Sequence, residues 1–170
     1  LSAAVSHHNL SAGHRADPAH RLPELATALR GTGGAASAAC SCLVLTGTAN
    51  GPLRRALGDP RRPTTWDRRA ADAVLGGLVD LIGPDSLAVE LALDGGPTDA
   101  AVTDVLSALA AAHRLPLLAT GAIRCARPGD SRLADVLTAT RLRTDLEGAR
   151  GHLPALGRWL RGPADMARLH

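Results

Sequence analysis

Three acidic side chains lie on or just after the most regular apolar stretch of the sequence, and they are the first candidates for chemistry. Glu90 lies within the alternating segment 87–93, and Asp94 and Asp99 follow it. Alternation of this kind is typical of a β-strand. A carboxylate at the end of a strand can ligate a divalent metal ion or act as a general base, so all three are candidate metal ligands.

A metal site at this position needs further ligands from the end of the next predicted strand. That strand is followed by Gly-Ala-Ile-Arg-Cys at 121–125. Only the Cys125 thiol is a plausible ligand there, and the guanidinium of Arg124 would repel a cation. We therefore expect the three acids to be solvated loop residues rather than a metal centre.

The histidines and cysteines offer a second set of candidate metal ligands. Four histidines lie in a polar N-terminal stretch: His7, His8, His14 and His20. Metal centres need ligands held by a rigid scaffold, and this stretch predicts none. Cys40 and Cys42 have no second pair with which to complete a structural zinc site. We expect no metal in either place, and the odd total of three cysteines suits a reducing cytoplasm rather than disulfides.

The loop 47–51, Gly-Thr-Ala-Asn-Gly, lies between a predicted strand and a predicted helix. Backbone N–H groups in such a loop can cradle a phosphate. The loop lacks the Gly-Lys-Ser/Thr ending of a P-loop, so we expect a tight turn that needs glycine instead. No Ser-His-Asp or Cys-His arrangement has motif support either.

Arginine supplies all 19 basic residues, and the net charge is +3. The nearest approach to a nucleic-acid-binding patch is a set of three doublets: Arg54–Arg55, Arg61–Arg62 and Arg68–Arg69. Because no long basic run appears, a modest excess of solvated arginine is the favoured interpretation.

The composition, with 45% hydrophobic and 21% charged residues, is that of a soluble globular protein. Phe and Tyr are absent, so the core must be built from Leu, Val, Ile and Ala, and we expect marginal stability. No apolar run approaches the roughly 20 residues that span a bilayer, so we expect no membrane segment. The chain begins at Leu1 rather than Met, and we expect it to be cut from a longer protein.

The elements that must position these residues alternate between strands and helices. Strands are predicted at 42–46, 87–93 and 115–120. Helices are predicted at 22–29, from 53, at 66–82, at 98–113, at 133–142 and from 163. Thr65 and Thr98 are the expected N-caps of the third and fourth helices. Strand, helix and strand at this spacing predict a parallel βαβ unit.

The fold class is therefore α/β, as half of a barrel or a small open sheet, over residues 41–170. Residues 1–40 are predicted to form an irregular N-terminal segment, loose at 1–20 and 31–39, with the ordered core at 66–142. Chemistry in such folds lies on the loops after the carboxyl ends of the strands, here 47–51, 94–98 and 121–130.

Four segments, 43–57, 89–99, 115–120 and 153–166, carry a common pattern in order along the chain. Together they resemble error-prone bacterial DNA polymerase III alpha subunits. Residues 43–57 resemble that family's Leu-Thr-Gly…Gly-Pro…Arg-Arg-Ala-Leu segment, and residues 89–99 resemble Val-Glu-Leu-Thr-Asp-His-Gly-Asp-Pro-Thr-Asp. Residues 115–120 match Leu-Pro-Leu-Val-Ala-Thr, and 153–166 resemble Trp-Leu-Pro…His-Leu-Arg-Ser…Ala-Glu-Met. The start, Leu1-Ser-Ala-Ala, fits the segment that precedes these.

The resemblance implies part of a PHP domain, a distorted β/α barrel that binds a divalent metal cluster through His and Asp residues at strand ends. It implies DNA and the remainder of a polymerase as partners, with the catalytic palm further along the full-length protein. The resemblance also implies roles in DNA replication and repair synthesis.

Departures from the family pattern predict that this chain is inactive alone and binds no cofactor, although the intact family binds a divalent metal. The family's early His-x-His and Asp-His motifs would lie before Leu1. Asp94 stands where the family has His, and Arg124 stands where the family has its late ligand His. Ligand character is therefore weak at 94 and lost at 124, and the chain resembles a fragment or a decayed copy.

Two other functions remain open from the sequence. One is a stand-alone PHP-type metal-dependent phosphoesterase, which needs several His and Asp ligands at strand ends. The other is a small interaction module that binds DNA or a polymerase partner through its arginines. We expect a cytoplasmic protein, and the sequence leaves its oligomeric state open.

Overall fold

The computed structural model describes residues 22–30, 42–59, 62–93, 95–154 and 157–170. Within these ranges the chain is a mixed α/β structure with three parallel strands and several helices. The strands are β1 (Val44–Leu45), β2 (Leu87–Leu91) and β3 (Leu117–Ala119). The helices are α1 (Leu22–Arg30), α2 (Pro52–Leu57), α3 (Arg68–Ile82), α4 (Asp99–Ala112), α5 (Ser131–Leu142), α6 (Leu146–Ala149) and α7 (Pro163–Leu169).

The sheet has the order β1-β2-β3, with β2 in the centre. Val44 pairs with Leu87 on one side of β2, and Val89 pairs with Leu117 on the other, both in parallel register. The predicted parallel βαβ arrangement is thus confirmed. Because the strands run in the same direction, their carboxyl ends meet at one edge of the sheet, and the loops after β1 and β3 lie near each other.

The central strand is buried over its whole length, whereas β3 is exposed at all three residues. The alternating pattern predicted a strand correctly. Neither face of that strand is exposed, however, because Ala88 and Glu90 are buried as well as Leu87 and Val89. A central parallel strand is covered on both faces, so side chains on either side leave water.

The main core lies between one face of the sheet and helices α2, α3 and α4. Its members are aliphatic: Leu53, Leu57, Ala71, Leu75, Leu78, Leu87, Val89, Leu91, Val102, Val105, Leu106, Leu109, Ala110 and Leu115. This core begins before residue 66, where it was predicted to start. Helix α5 was predicted to belong to it, but that helix exposes Leu133, Val136 and Leu137.

Helix α3 begins later than predicted and uses a different cap. Thr65 lies in a 3-10 turn, Pro63–Thr65, and its hydroxyl donates to the carbonyl of Arg62 at 2.9 Å. The carboxylate of Asp67 accepts a hydrogen bond from the backbone N–H of Ala70 at 2.9 Å and caps the helix instead. The predicted Thr65 cap is therefore wrong, because the turn that begins at Pro63 places Asp67 at the helix start.

Helix α4 begins after Thr98 as predicted, but the Thr98 side chain makes no capping bond. The carboxylate of Asp99 accepts from the backbone N–H of Gly95 at 2.7 Å and closes the preceding turn. Helices α1 and α7 lie where the sequence predicts them, α5 begins two residues early at Ser131, and α6 was not predicted.

The predicted loose segments 1–20 and 31–39 lie outside the described residues, so the division at residues 40 and 41 stays a prediction. No helix in the described ranges is both long and apolar enough to cross a membrane.

Candidate functional site: an arginine-lined cleft

A cleft of about 470 Å³ lies at the edge of the sheet where the strands end. The loop after β1 and the segment after β3 both contribute to it. Its charged walls carry five basic side chains and, among the described residues, one carboxylate: Arg55, Arg124, Arg141, Arg158, His152 and Asp59. A concave surface with this excess of guanidinium groups concentrates a positive potential and favours anions.

Arg55 reaches the cleft because helix α2 is fixed by its apolar side. Leu53 and Leu57 are almost fully buried in the core, four residues apart on one face of the helix. Arg55, between them in sequence, projects from another face and is exposed. The core therefore sets the direction of this guanidinium.

Arg124 and Arg158 are brought together by a short parallel bridge that the sequence did not predict. Cys125 pairs with Trp159. The backbone N–H of Arg124 donates to the carbonyl of Arg158 at 2.7 Å, and the N–H of Leu160 donates to the carbonyl of Cys125 at 3.1 Å. This pairing fixes the backbone at both arginines.

Helix α5 supports the same wall of the cleft. The guanidinium of Arg124 donates from Nη1 to the hydroxyl of Thr138 at 3.2 Å. Thr138 is buried in α5, and its hydroxyl in turn donates to the carbonyl of Ala134 at 2.9 Å. Arg141 lies in the last turn of the same helix, where a cation is favoured by the helix dipole.

The loop after β1 is a tight turn, as predicted. Gly47 has a φ of +86°, and the backbone N–H of Gly51 donates to the carbonyl of Thr48 at 2.8 Å. A Cβ on Gly51 would lie only 2.5 Å from the carbonyl oxygen of Thr46, so no side chain fits there. Because the Gly51 N–H bonds within the turn, it is not directed at a phosphate. Thr48 and Asn50 nevertheless line the cleft.

Glu90 is not a solvated acid, and that prediction is wrong. The residue is only 8% exposed, and its carboxylate accepts a hydrogen bond from the Thr120 hydroxyl at 2.5 Å. Its backbone N–H donates to the hydroxyl of Thr46 at 3.0 Å. These bonds place Glu90 inside the sheet, and it does not line the arginine-rich cleft.

The other predicted ligands do not form a cluster in the described part of the chain. Asp99 is half-buried and bonds to the Gly95 backbone. Cys125 is half-buried, with its Sγ 3.5 Å from the carbonyl of Arg158. No group of three or more His, Cys, Asp or Glu side chains suited to a metal ion occurs among the residues described. Asp94 lies outside them, as do Cys40 and the four N-terminal histidines: His7, His8, His14 and His20.

The predicted arginine doublets do not form one patch. Arg54 is buried, whereas its neighbour Arg55 lines the cleft. Arg62, Arg68 and Arg69 are exposed and do not line it, and Arg61 lies outside the described residues. The cleft instead gathers arginines that are far apart in sequence. Each guanidinium offers five N–H donors in a fork that matches phosphate or carboxylate oxygens.

The chain is similar along most of its length to proteins named error-prone DNA polymerase. It is 41% identical over 127 residues to the protein of Nocardia farcinica, which covers 74% of this chain. It is 34% identical over 170 residues to that of Mycolicibacterium paratuberculosis, and 35% identical over 159 residues to that of Cutibacterium acnes, covering 99% and 92% of this chain. The chain spans only 11–14% of the length of these proteins. No protein-family model matches it.

Proposed function

We propose that this chain is a segment of an error-prone DNA polymerase, corresponding to part of its PHP domain, and that it has no catalytic activity of its own. The observation that carries the proposal is the similarity to proteins of that name, which in one relative extends over 99% of the chain at 34% identity. In this interpretation DNA and the remainder of the polymerase are the partners, in the cytoplasm, and the activity is that of the whole protein.

The order of the strands supports the assignment to a β/α barrel. Consecutive strands β1, β2 and β3 lie side by side in parallel, with helices between them in sequence. A barrel is built by repeating this step around an axis. In the described structure, however, β3 is exposed and pairs with β2 alone. Among the described residues the sheet is therefore open rather than a closed barrel.

Exposed apolar side chains support packing against a larger protein. Large aliphatic residues are exposed on β3 and α5: Leu117, Leu118, Leu133, Val136 and Leu137. Large apolar side chains exposed close together on one element, as on β3 and separately on α5, are typical of a surface that another part of a protein covers. The remainder of the polymerase would provide that cover.

The residues around the cleft do not fit the divalent metal cluster that the resemblance implies. Arg124, at the position where the family has a ligand His, has a guanidinium that is always protonated and has no lone pair for a metal. Arg158 pairs with it through the backbone, and Arg55 and Arg141 line the same space. A divalent cation placed there would be repelled by all four. This supports a non-catalytic role and argues against a stand-alone metal phosphoesterase.

A chimeric polymerase tests the proposal. The matching segment of the Mycolicibacterium paratuberculosis protein would be replaced with this chain, and primer extension would be measured with Mg²⁺. We expect a soluble chimera with metal-dependent extension, because the segment substitutes for its counterpart. The control is the same polymerase with the segment deleted, which we expect to be insoluble or inactive.

Two outcomes would contradict the proposal. One is a chimera no better folded or more active than the deletion control. The other is metal-dependent phosphatase or exonuclease turnover by the isolated chain, which would favour the phosphoesterase.

A further inference from the structure

We propose that the arginine-lined cleft is a metal-independent binding site for a terminal phosphate group, such as that of a mononucleotide or of a DNA end. Arg55, Arg124, Arg141 and Arg158 line one space of about 470 Å³ together with His152. The site consists of these residues of the chain, and phosphate binding there does not require that the chain belong to a polymerase.

The charge around the cleft is far from balanced. Four arginines line it, from α2, from the segment after β3, from the end of α5 and from the segment before α7. Among the residues that the structure describes, Asp59 is the one carboxylate in its lining. In the described part of the chain, Arg55 and Arg141 have no carboxylate within ion-pair distance. Like charges held close together in a concave surface repel one another, and a bound anion relieves that repulsion.

The backbone at two of the arginines, and the guanidinium of Arg124, are fixed before any ligand arrives. The backbone pairing of 124–125 with 158–160 holds Arg124 beside Arg158, with the N–H of Cys125 also donating to the Arg158 carbonyl at 3.1 Å. The bond from Arg124 Nη1 to Thr138 occupies one of five guanidinium donors and leaves the others for a ligand. Such ordering lowers the entropy that binding would otherwise cost.

The remaining walls fit a phosphate ester better than a bare ion. Thr48 and Asn50 add neutral polar side chains, and Leu153 and Pro154 add apolar surface. The cleft is several times larger than a phosphate group, so it has room for an attached sugar and base. A terminal phosphate carries close to two negative charges at neutral pH, which suits several guanidinium groups better than a singly charged diester does.

Binding to the whole 170-residue chain in EDTA tests the inference by calorimetry or fluorescence anisotropy. The probes are inorganic phosphate, a deoxynucleoside monophosphate, its unphosphorylated deoxynucleoside, and one short single-stranded DNA with either a 5′-phosphate or a 5′-hydroxyl. We expect the phosphorylated member of each matched pair to bind at least about tenfold more tightly. If inorganic phosphate binds with the same affinity as the nucleotide, the phosphate group alone is the ligand. If the phosphorylated DNA binds more tightly than the nucleotide, the ligand is a strand end.

Variants locate the site. Arg55→Ala and Arg141→Ala change exposed side chains, so the fold should survive, and each should weaken phosphate binding by about tenfold. Arg124→Ala should do the same, with circular dichroism to verify folding. Arg69→Ala is the matched control, since Arg69 is exposed on α3 and does not line the cleft. It should leave the affinity unchanged.

Three results would overturn the inference: equal affinity for the 5′-phosphate and 5′-hydroxyl strands, equal affinity in the Arg55, Arg141 and Arg69 variants, or binding that requires a divalent metal. Failure of the polymerase chimera would leave all of these measurements unaffected, so the two proposals can fail separately.

Discussion

Glu90 has an ionisable side chain inside the molecule, and a hydrogen bond from the Thr120 hydroxyl makes that burial tolerable. Burying a carboxyl group is costly unless donors replace the lost water. The Thr120 hydroxyl is such a donor at 2.5 Å, and it connects the central strand to the residue after β3. A side chain that appears from sequence to be a candidate metal ligand therefore has a structural role in the sheet.

Removing that hydroxyl should destabilise the fold. Thr120→Val leaves the buried Glu90 carboxyl without its donor, and we expect the free energy of unfolding to fall by about 1–3 kcal/mol. Thr140→Val is the matched control, because the Thr140 hydroxyl is exposed on α5 and donates to the Val136 carbonyl within the helix. Urea unfolding monitored by circular dichroism measures both. Equal effects of the two substitutions would show that the Glu90 bond does not contribute.

The stability of the protein should depend on pH through the imidazole of His170. His170 is exposed overall, but partial loss of water around its imidazole lowers the pKa below the ordinary value of 6.5. The carboxylate of Asp99 opposes this shift, and the guanidinium of Arg161 adds to it. A lowered folded-state pKa means that the unfolded chain binds the proton more readily. The contribution of His170 to stability is therefore lost as the pH falls from the unfolded-state pKa through the folded-state value.

An NMR titration of the imidazole proton measures this pKa directly, with His170→Gln to assign the resonance. The midpoint should lie below 6.5, and Asp99→Asn should lower it further because the opposing negative charge is removed. A midpoint above 6.5 would contradict the burial argument.

At the scale of elements, two substitutions test which residue caps helix α3. Asp67→Ala removes the bond to the Ala70 N–H and should cost about 0.5–2 kcal/mol of stability. Thr65→Ala removes a hydroxyl that bonds only within the preceding turn, and we expect less than about 0.5 kcal/mol. Thermal unfolding of the two variants separates the possibilities, and a larger loss for Thr65→Ala would restore the cap predicted from the sequence.

Alanine substitutions at two glycines, one in helix α3 and one in the turn after β1, should change the stability with opposite sign. Gly77 lies in α3, and no described atom outside its own helix lies within 4 Å of an added Cβ, so Gly77→Ala should stabilise the protein by about 0.5–1 kcal/mol. Gly51→Ala places a Cβ against backbone atoms of Thr46 and Gly47 and should destabilise by more than about 1 kcal/mol. Denaturant unfolding measures the change in the free energy of unfolding for both variants. A neutral Gly51→Ala would show that the turn after β1 rearranges freely.

These elements also show where sequence reasoning succeeds and where it stops. Local patterns predicted all three strands, their parallel arrangement and the glycine turn, because period, turn residues and spacing are short-range properties. The cap of α3 was misplaced, since a threonine and an aspartate two residues apart are both acceptable caps. The bridge between Cys125 and Trp159 carries no local signal, because neither flanking segment has a strand pattern.

The arginine cleft was missed for the same reason. Arg55 stood in a recognised doublet, but Arg124, Arg141 and Arg158 are separated by helices and loops, and only the tertiary fold brings them together. Charge doublets along a sequence report neighbours on the chain. They do not report which side chains converge on one space.

At the scale of the whole molecule, the apolar side chains exposed on β3 and on α5 make the isolated chain prone to self-association. Leu133 and Leu137 are more than 60% exposed, four residues apart on α5, and β3 is an exposed strand with one described neighbour. Exposed aliphatic groups and an open sheet edge both favour contact with another copy.

Sedimentation velocity of the isolated chain should therefore show association that increases with concentration. The double variant Leu133→Gln, Leu137→Gln should reduce that association, while its melting temperature stays within a few degrees because neither side chain contributes to the core. Arg132→Gln, an exposed change on the same helix, is the control and should leave association unchanged. If the chain is monomeric at all concentrations, or if the double variant unfolds, these leucines are not a free surface of the folded molecule.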